Sequence, residues 1–544
     1  MRRLMGYDDR TKKKRISRTS KVRVSKMKMI ACVGLFTLVA CRTIPKNDIH
    51  EPMEAGIAEV LRHITLPEIP ARKIDLMEFS GKQPDTLATH DFQHDIARAI
   101  DQLAERGGGS LVFGYPEGHT TGEKPVLVYR IKGPITLKNN IGISIDRSIK
   151  LQFEFDPPSY RPNGKGVLSR YEGTMVYTHS PLIRGFNCEN ISITAKDGTG
   201  PLPVIDGDGR RWREWEVEGN EQMGNGGQNG QLASYMQVKE MNNSRVPIHE
   251  RRMDTAFLRP PLLQFMLCKK VLVQDVKLVN SPFWTVHPLF SENLVFRGIE
   301  FEALVPNNDG IDPESSRYVL IENIKFNNAD DNVAIKSGRD VEGREGAAIA
   351  QTELLGIASP FIKNGRIGGA TQHVLVRNCE FKGHYAICIG SEMSGGANHI
   401  YVANNRATEE VSMGVYIKGG RNRGGTVSHV YIKDMELNKV KNEVVRLLPN
   451  YDGDAQSPFP SKFHTIYLQN IDVKEAGKGI LINGWPDQTI DSVYLNNVNI
   501  NEIKQETALQ LNHIKQVVLK NVTLEGVSVD GLYDRSDDTK PIPR

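Results

Sequence analysis

Aromatic side chains make up only 7 % of this 544-residue chain, and no Pro/Ser-rich linker divides it. A chain this long without a linker suits a repeat architecture that grows as one unit. Few aromatics beside frequent Gly and Asn suit many short strands and turns. None of the six cysteines makes a CxxC pair, so no zinc framework is expected. No apolar run reaches the ~20 residues that a membrane-spanning helix needs. Basic charge is also missing from most of the chain. Residues 1–28 hold twelve Lys/Arg and two acids, and the total of +4 less this +10 leaves −6 for the rest. That balance excludes a general nucleic-acid footprint.

The basic start leads into an apolar run, Met29–Ala40, followed by Cys41. A charged region, about a dozen apolar residues and small residues at the boundary form a secretory signal. Leu38-Val39-Ala40-Cys41 also resembles a bacterial lipobox, whose Cys becomes the lipidated first residue. The expectation is export to the periplasm, or to the outer membrane or cell surface as a lipoprotein, with membrane contact only through the lipid. Met27 or Met29 is an alternative start. Cys188 and Cys268 stand at equivalent places before Asn190-Ile191 and Lys270-Val271. They are expected to stack as small buried hydrophobes, with a disulfide as the alternative.

One pattern recurs: apolar-x-apolar-x-polar-apolar-x-apolar. It spans Val271–Leu278, Leu294–Phe301, Val319–Phe326, Val374–Phe381, Val430–Leu437, Ile466–Val473, Val493–Ile500 and Val517–Leu524, with looser copies from Ile191 and Ile400. Alternation with period two means a strand with one buried face. The recurring step means a solenoid, since such a strand cannot bury its apolar side alone. The mid-pattern polar residue, most often Asn, falls where the chain must turn, because Asn tolerates left-handed backbone. Its side chains are expected to form a ladder. The fold class is therefore all-β, a right-handed parallel β-helix built from a single chain. No ten-residue window of the repeat keeps a helical period. Phe92–Arg106 is amphipathic and ends at Gly107-Gly108-Gly109, which predicts a helix capping the open end. Residues 208–255 and 339–370 break the rhythm and are expected to be long edge loops carrying specificity. The predicted organisation is a leader over 1–41, a tether or short helix over 42–71, the β-helix over 72–530 and a tail over 531–544.

The chemistry clusters beside the second strand of each coil. Asn307-Asn308-Asp309-Gly310 is followed by Asp330-Asp331, Gly383-His384 and Tyr416-Ile417-Lys418. Stacked coils lie ~4.8 Å apart, so these groups should line roughly 15 Å of one groove. Inverting glycoside hydrolysis needs a carboxylic acid and a carboxylate base about 6.5–9.5 Å apart. Asp309 and the Asp330-Asp331 pair can supply them, provided that Asp330-Asp331 sits at a bend. Crowded carboxylates raise one pKa and keep a proton on the acid. Singly, an Asp-Gly is a turn, a Gly-His a loop and a strand Lys a solvated face; their shared register is what points to catalysis.

These motifs, in this order, resemble those of the family 28 glycoside hydrolases, the polygalacturonase family. So do Gly133–Lys138, Ile205–Gly209, Asn280–Trp284 and Ile389–Gly396. The resemblance covers about residues 72–530 and implies hydrolysis of pectic poly- or oligosaccharide without metal or cofactor. Within it Asp330 would be the general acid, Asp309 and Asp331 would hold the water, and His384 would support the acid. Asn307, Lys418 and Tyr451 would contact substrate. Three departures stand out: Asn308 for the usual Thr, Tyr385 for the glycine after the histidine, and Tyr416 for the arginine two before the lysine. Tyr cannot pair bidentately with a carboxylate as Arg does, so Arg421 or Arg423 is expected to take over, or a subsite has changed. A rhamnogalacturonan or decorated pectin is then an alternative substrate. The long loops suggest an exo-acting, bacterial-type enzyme that works as a monomer. A pectate-lyase-type β-helix would need a Ca²⁺ cage and an Arg base. A non-enzymatic carbohydrate-binding β-helix would lack the carboxylates.

Overall fold

The computed structural model describes residues 50–82, 89–115, 126–222, 232–451, 456–505 and 507–534. The expected leader and the lipidation of Cys41 lie outside them. Parallel pairing dominates, and the repeat is its register. Val271, Leu294, Val319, Val374 and Ile400 stand in one column of paired strands, which continues through Val430, Ile466, Val493 and Val517. Other columns run beside it, such as Val204–Asp206 on Lys277–Val279 on Glu300–Glu302. The result is a right-handed parallel β-helix.

The alternation explains the core. In the first copy Val271, Val273, Val276 and Leu278 all point inward and are buried. Equivalent residues stack coil on coil; Phe301, Phe326 and Phe381 form an internal ladder with ring centroids 4.9 and 5.4 Å apart. The mid-pattern residues Asp275, Asn323, Asn378, Asn404, Asp434, Asn470, Asn497 and Asn521 all have positive φ. Their side chains form rungs: Asn404 Nδ2 donates to Asn378 Oδ1 (2.6 Å), Asn470 Nδ2 to Asp434 Oδ1 (2.7 Å) and Asn497 Nδ2 to Asn470 Oδ1 (2.8 Å). Cys188 and Cys268 occupy one place in adjacent coils, as Glu189 pairs with Lys269, and both are buried and unbridged.

Both ends are closed. Helices α2 (Leu76–Ser80) and α3 (Gln93–Glu105) pack on the first coil, α3 burying Ile96, Ala99, Ile100 and Leu103. At the other end Gly531–Tyr533 folds back antiparallel on Val517–Leu524 and buries Tyr533 in the core. The folded unit therefore includes Tyr533, three residues past the predicted boundary.

Of the two readings of the segment ahead of the fold, the short helix holds from residue 50 onward. Helix α1 (His50–His63) lies on the outer surface, and Met53 and Val60 pack against Leu272, Val295, Leu320, Leu375, Tyr401 and Tyr431. His63 stacks on Tyr318 with centroids 4.0 Å apart. A Cβ on Gly56 would meet the Tyr401 ring at 2.1 Å. Gly56→Leu is thus expected to lift α1 and lower the melting temperature by a few degrees, about 1–3 kcal/mol of overpacking; calorimetry with an unchanged midpoint would remove α1 from the folded unit. One expectation needs correction: the long edge insertions are not plain loops. The first holds α4 (Gly209–Gln222) and α5 (Leu232–Asn243). The second holds α6 (Asp340–Glu345) and a small antiparallel sheet of Ala347–Ala348, Ile362–Lys363 and Arg366–Ile367. Their polar composition hid the helical period, because each buries only a few residues.

Candidate active site

The loop carrying Asp309 is fixed by buried hydrogen bonds. Asn307 takes a left-handed conformation, φ 62°. Asn308 Nδ2 donates to the Ser281 and Phe283 carbonyls at 2.8 and 2.9 Å, and its Oδ1 accepts from Val305 N at 3.0 Å. A threonine could not span these partners with one hydroxyl, so Asn308 is a structural brace here. Arg259, fully buried, donates to Asn307 Oδ1 (2.9 Å) and to the Pro306 carbonyl (2.8 Å) while pairing with Glu216 of α4 (2.7 Å). Asn307 Oδ1 is thus taken up in holding the loop, while the residue itself lines the acidic cavity. The edge insertion and the catalytic loop are one braced unit.

Asp330 and Asp331 do sit at a bend, ahead of the strand Val333–Ile335. Asp331 is buried and its Oδ2 lies 2.9 Å from Lys418 Nζ. Asp330 is about a third exposed, its side chain at 30 %, and accepts from Asp331 N at 2.9 Å. His384 Nδ1 stands 3.5 Å from Asp330 and 3.4 Å from Asp331. Asp309 Oδ2 meets Lys336 Nζ at 3.1 Å; the same ammonium lies 3.5 Å from Asp312, 3.4 Å from Glu392 and 4.2 Å above the Trp284 ring.

These contacts separate the acids electrostatically. Burial raises the Asp309 carboxyl to about 7; Lys336 opposes the rise, and Asp330 and Asp331 add to it. Burial also pushes Asp331 up, but Lys418 and His384 outweigh it and hold Asp331 well below the usual carboxylate range. His384 is disfavoured as imidazolium by burial, yet the two carboxylates beside it raise its pKa above the usual value. Asp331 is therefore a fixed anion at neutral pH, and Asp309 a base of matched strength. Asp330, Asp331 and His384 also offer ligand atoms within 4.8 Å of one another, a spacing that would admit a cation.

Asp309, Asp330, Asp331 and Lys418 share a cavity of about 220 Å³ with Glu172, Tyr235, Trp284, Asn307, Lys336, Arg339, Ser391, Glu392, Arg423 and Tyr451. Four of these wall residues were not singled out from the sequence: Glu172, Tyr235, Lys336 and Arg339. Glu172 sits at the turn of the hairpin Val167–Tyr171/Thr174–Thr178, Tyr235 on α5, and Arg339 just ahead of α6. Arg339 Nη1 reaches Glu172 at 3.0 Å, and Arg423 Nη1 donates to Glu392 at 2.9 Å. Arg423 therefore belongs to this wall and braces Glu392, which its cationic neighbours hold ionised against burial. A larger groove, about 1160 Å³, runs along the asparagine turns and shares no residue with the acidic cavity.

Three tyrosines surround Lys418, whose Nζ lies 5.2, 5.6 and 5.3 Å from the rings of Tyr385, Tyr416 and Tyr451. Tyr385 stacks on His384 at 3.9 Å, and Tyr416 is buried against Met413 and Leu448. The side chain that replaces glycine at 385 thus covers one face of the histidine.

A β-helix with three carboxylates, a histidine and a lysine gathered beside its second strands defines a carbohydrate-cleaving enzyme of the glycoside hydrolase class. The model for glycosyl hydrolases family 28 matches residues 174–512, and the chain belongs to that family. It is 26 % identical over 449 residues to a "Probable polygalacturonase" of Vitis vinifera, covering 79 % of this chain and 74 % of that one. It is 22 % identical to an exo-poly-alpha-D-galacturonosidase of Dickeya chrysanthemi over 51 % of this chain and 41 % of that one. Among solved structures it resembles the hyperthermoactive exopolygalacturonase of Thermotoga maritima, with TM-score 0.72 and 30 % identity over 89 % of this chain and 99 % of that one.

Proposed function

We propose that this glycoside hydrolase removes galacturonate units from the end of polygalacturonate chains with inversion. The observation that carries the reading is the cavity lining: beside the acids, Glu172, Tyr235 and Arg339 come from three separate insertions and pack on one another, Arg339 lying 3.0 Å from Glu172 and 5.0 Å from the Tyr235 ring centre. In this reading that cluster blocks one end of the groove, so the terminal sugar sits among the acids and the rest of the polymer leaves past Tyr385 and Tyr416. Asp330, the accessible carboxyl, donates a proton to the glycosidic oxygen. Asp331 holds the water as a permanent anion. Asp309 takes the water's proton, for which a pKa of about 7 suits it. His384 sits between Asp330 and Asp331 and steadies the charge of Asp331 and the one that Asp330 acquires on giving up its proton. Lys418 orients Asp331, with its ammonium shared between that carboxylate and the substrate.

The test is a time course on polygalacturonate, followed by product identification with and without chelator. Monogalacturonate as the sole early product, unaffected by chelator, supports the reading; mixed oligomers early in digestion overturn the exo assignment. Unsaturated products would indicate lyase chemistry instead. Rhamnogalacturonan is the comparison substrate, because Tyr385 and Tyr416 alter the open side. The reading includes export, a lipid on Cys41 and action as a monomer.

A further inference from the structure

The position that Tyr416 occupies lacks an arginine, and neither expected substitute fills it. Arg421 is committed to Asp487 through two hydrogen bonds of 2.6 and 2.7 Å and to the Ser457 carbonyl at 2.9 Å. Arg423 is buried in the closed wall against Glu392. The structure assigns the task to Arg446: it is the cation that receives the carboxylate of the second sugar from the chain end, on the open side of the cleft. This rests on the reading of the site as a galacturonate-releasing one.

The register places it there. Arg446 pairs with Tyr416, and Leu448 with Lys418, so Arg446 lies one coil beyond Tyr416 on the same outward face. Val445 and Leu447, its neighbours, point into the core. The guanidinium carbon stands 5.1 Å over the Tyr416 ring. Its charge is weakly matched. Its nearest anion is Glu443 at 3.6 Å, too far for a hydrogen bond, and that carboxylate also holds Lys478 at 3.3 Å. Nε is buried without an acceptor among the described residues. A planar cation with a donor to spare, seated on the ring of Tyr416, which also lies 5.6 Å from Lys418 Nζ, matches a carboxylate in the groove. The cation then stands one coil, ~4.8 Å along the groove, beyond the place an arginine at 416 would take. The bland alternative is a solvated arginine balancing Glu443. It predicts no dependence on the sugar's charge.

The experiment compares digalacturonate with the matched disaccharide whose second sugar carries a hydroxymethyl group in place of its carboxylate. Arg446→Ala is expected to lower kcat/KM on digalacturonate by about ten- to a hundredfold, through KM. On the reduced disaccharide the same variant should lose several-fold less. Arg446→Lys, which keeps the charge without the fork, should recover part of the loss. Equal losses on both disaccharides, or no loss on either, overturn the assignment; a melting curve matching the parent excludes misfolding. A parent enzyme inactive on both disaccharides and on polygalacturonate overturns the functional reading instead.

Discussion

Asp330→Asn is expected to cut kcat on polygalacturonate by about 10²–10⁴-fold while shifting the melting temperature by less than about 2 °C. The two halves of this result have separate causes. Asp330 is partly exposed, and the amide of Asn can still accept from Asp331 N, so little folding energy is at stake. What Asn cannot do is give a proton to the glycosidic oxygen. A variant that keeps more than a tenth of the parent's kcat would remove Asp330 from the role of acid.

Lys336→Met is expected to have the largest effect on stability, about 3–5 kcal/mol. The change conserves volume, so no cavity arises. It deletes the one ammonium that Asp309, Asp312 and Glu392 share at 3.1, 3.5 and 3.4 Å. Burial opposes the Lys336 charge, but these carboxylates raise its pKa well above the ordinary lysine value. Since the folded pKa is the raised one, the contribution is complete below the pKa of a free lysine and is lost only as pH climbs above it. The parent therefore carries it intact through the neutral range. In the variant Asp309 loses its main stabilising charge and titrates above 7, so the acid limb of the activity profile should move to higher pH. Denaturant unfolding measures the first effect and kcat/KM against pH the second. An unchanged midpoint, or a profile shifted to lower pH, would contradict this placement of Lys336.

The repeat carried most of the fold in plain view. Period-two alternation and a residue that favours left-handed backbone at its centre fix strand, turn and register together, and each is a local property. The acids, His384 and Lys418 were legible for the same reason, because register brings sequence-distant residues to one groove. The walls were not. Glu172, Tyr235 and Arg339 come from three insertions whose placement depends on buried pairs such as Arg259 with Glu216, and nothing in their spacing announces those contacts. Lys336 was hidden differently. It ends a strand pattern in which a lysine is ordinarily solvated, and only its three carboxylate neighbours give it meaning. Helix α1 did leave a trace that alternation obscured. The second position of each repeat faces outward, yet it reads Leu272, Val295, Leu320, Leu375, Tyr401 and Tyr431, an apolar stripe that required a cover.

That cover bears on how the molecule comes apart. A bare solenoid can unzip from either end, one coil at a time, because each coil touches only its neighbours. Helix α1 reaches across the coils that hold Asp309, Asp330 and His384, and binds them as a splint binds a row of slats. Opening any one of them forfeits the helix's contact with all of them. Amide exchange in these coils should therefore be slow and uniform, with the terminal coils outside the splint opening first.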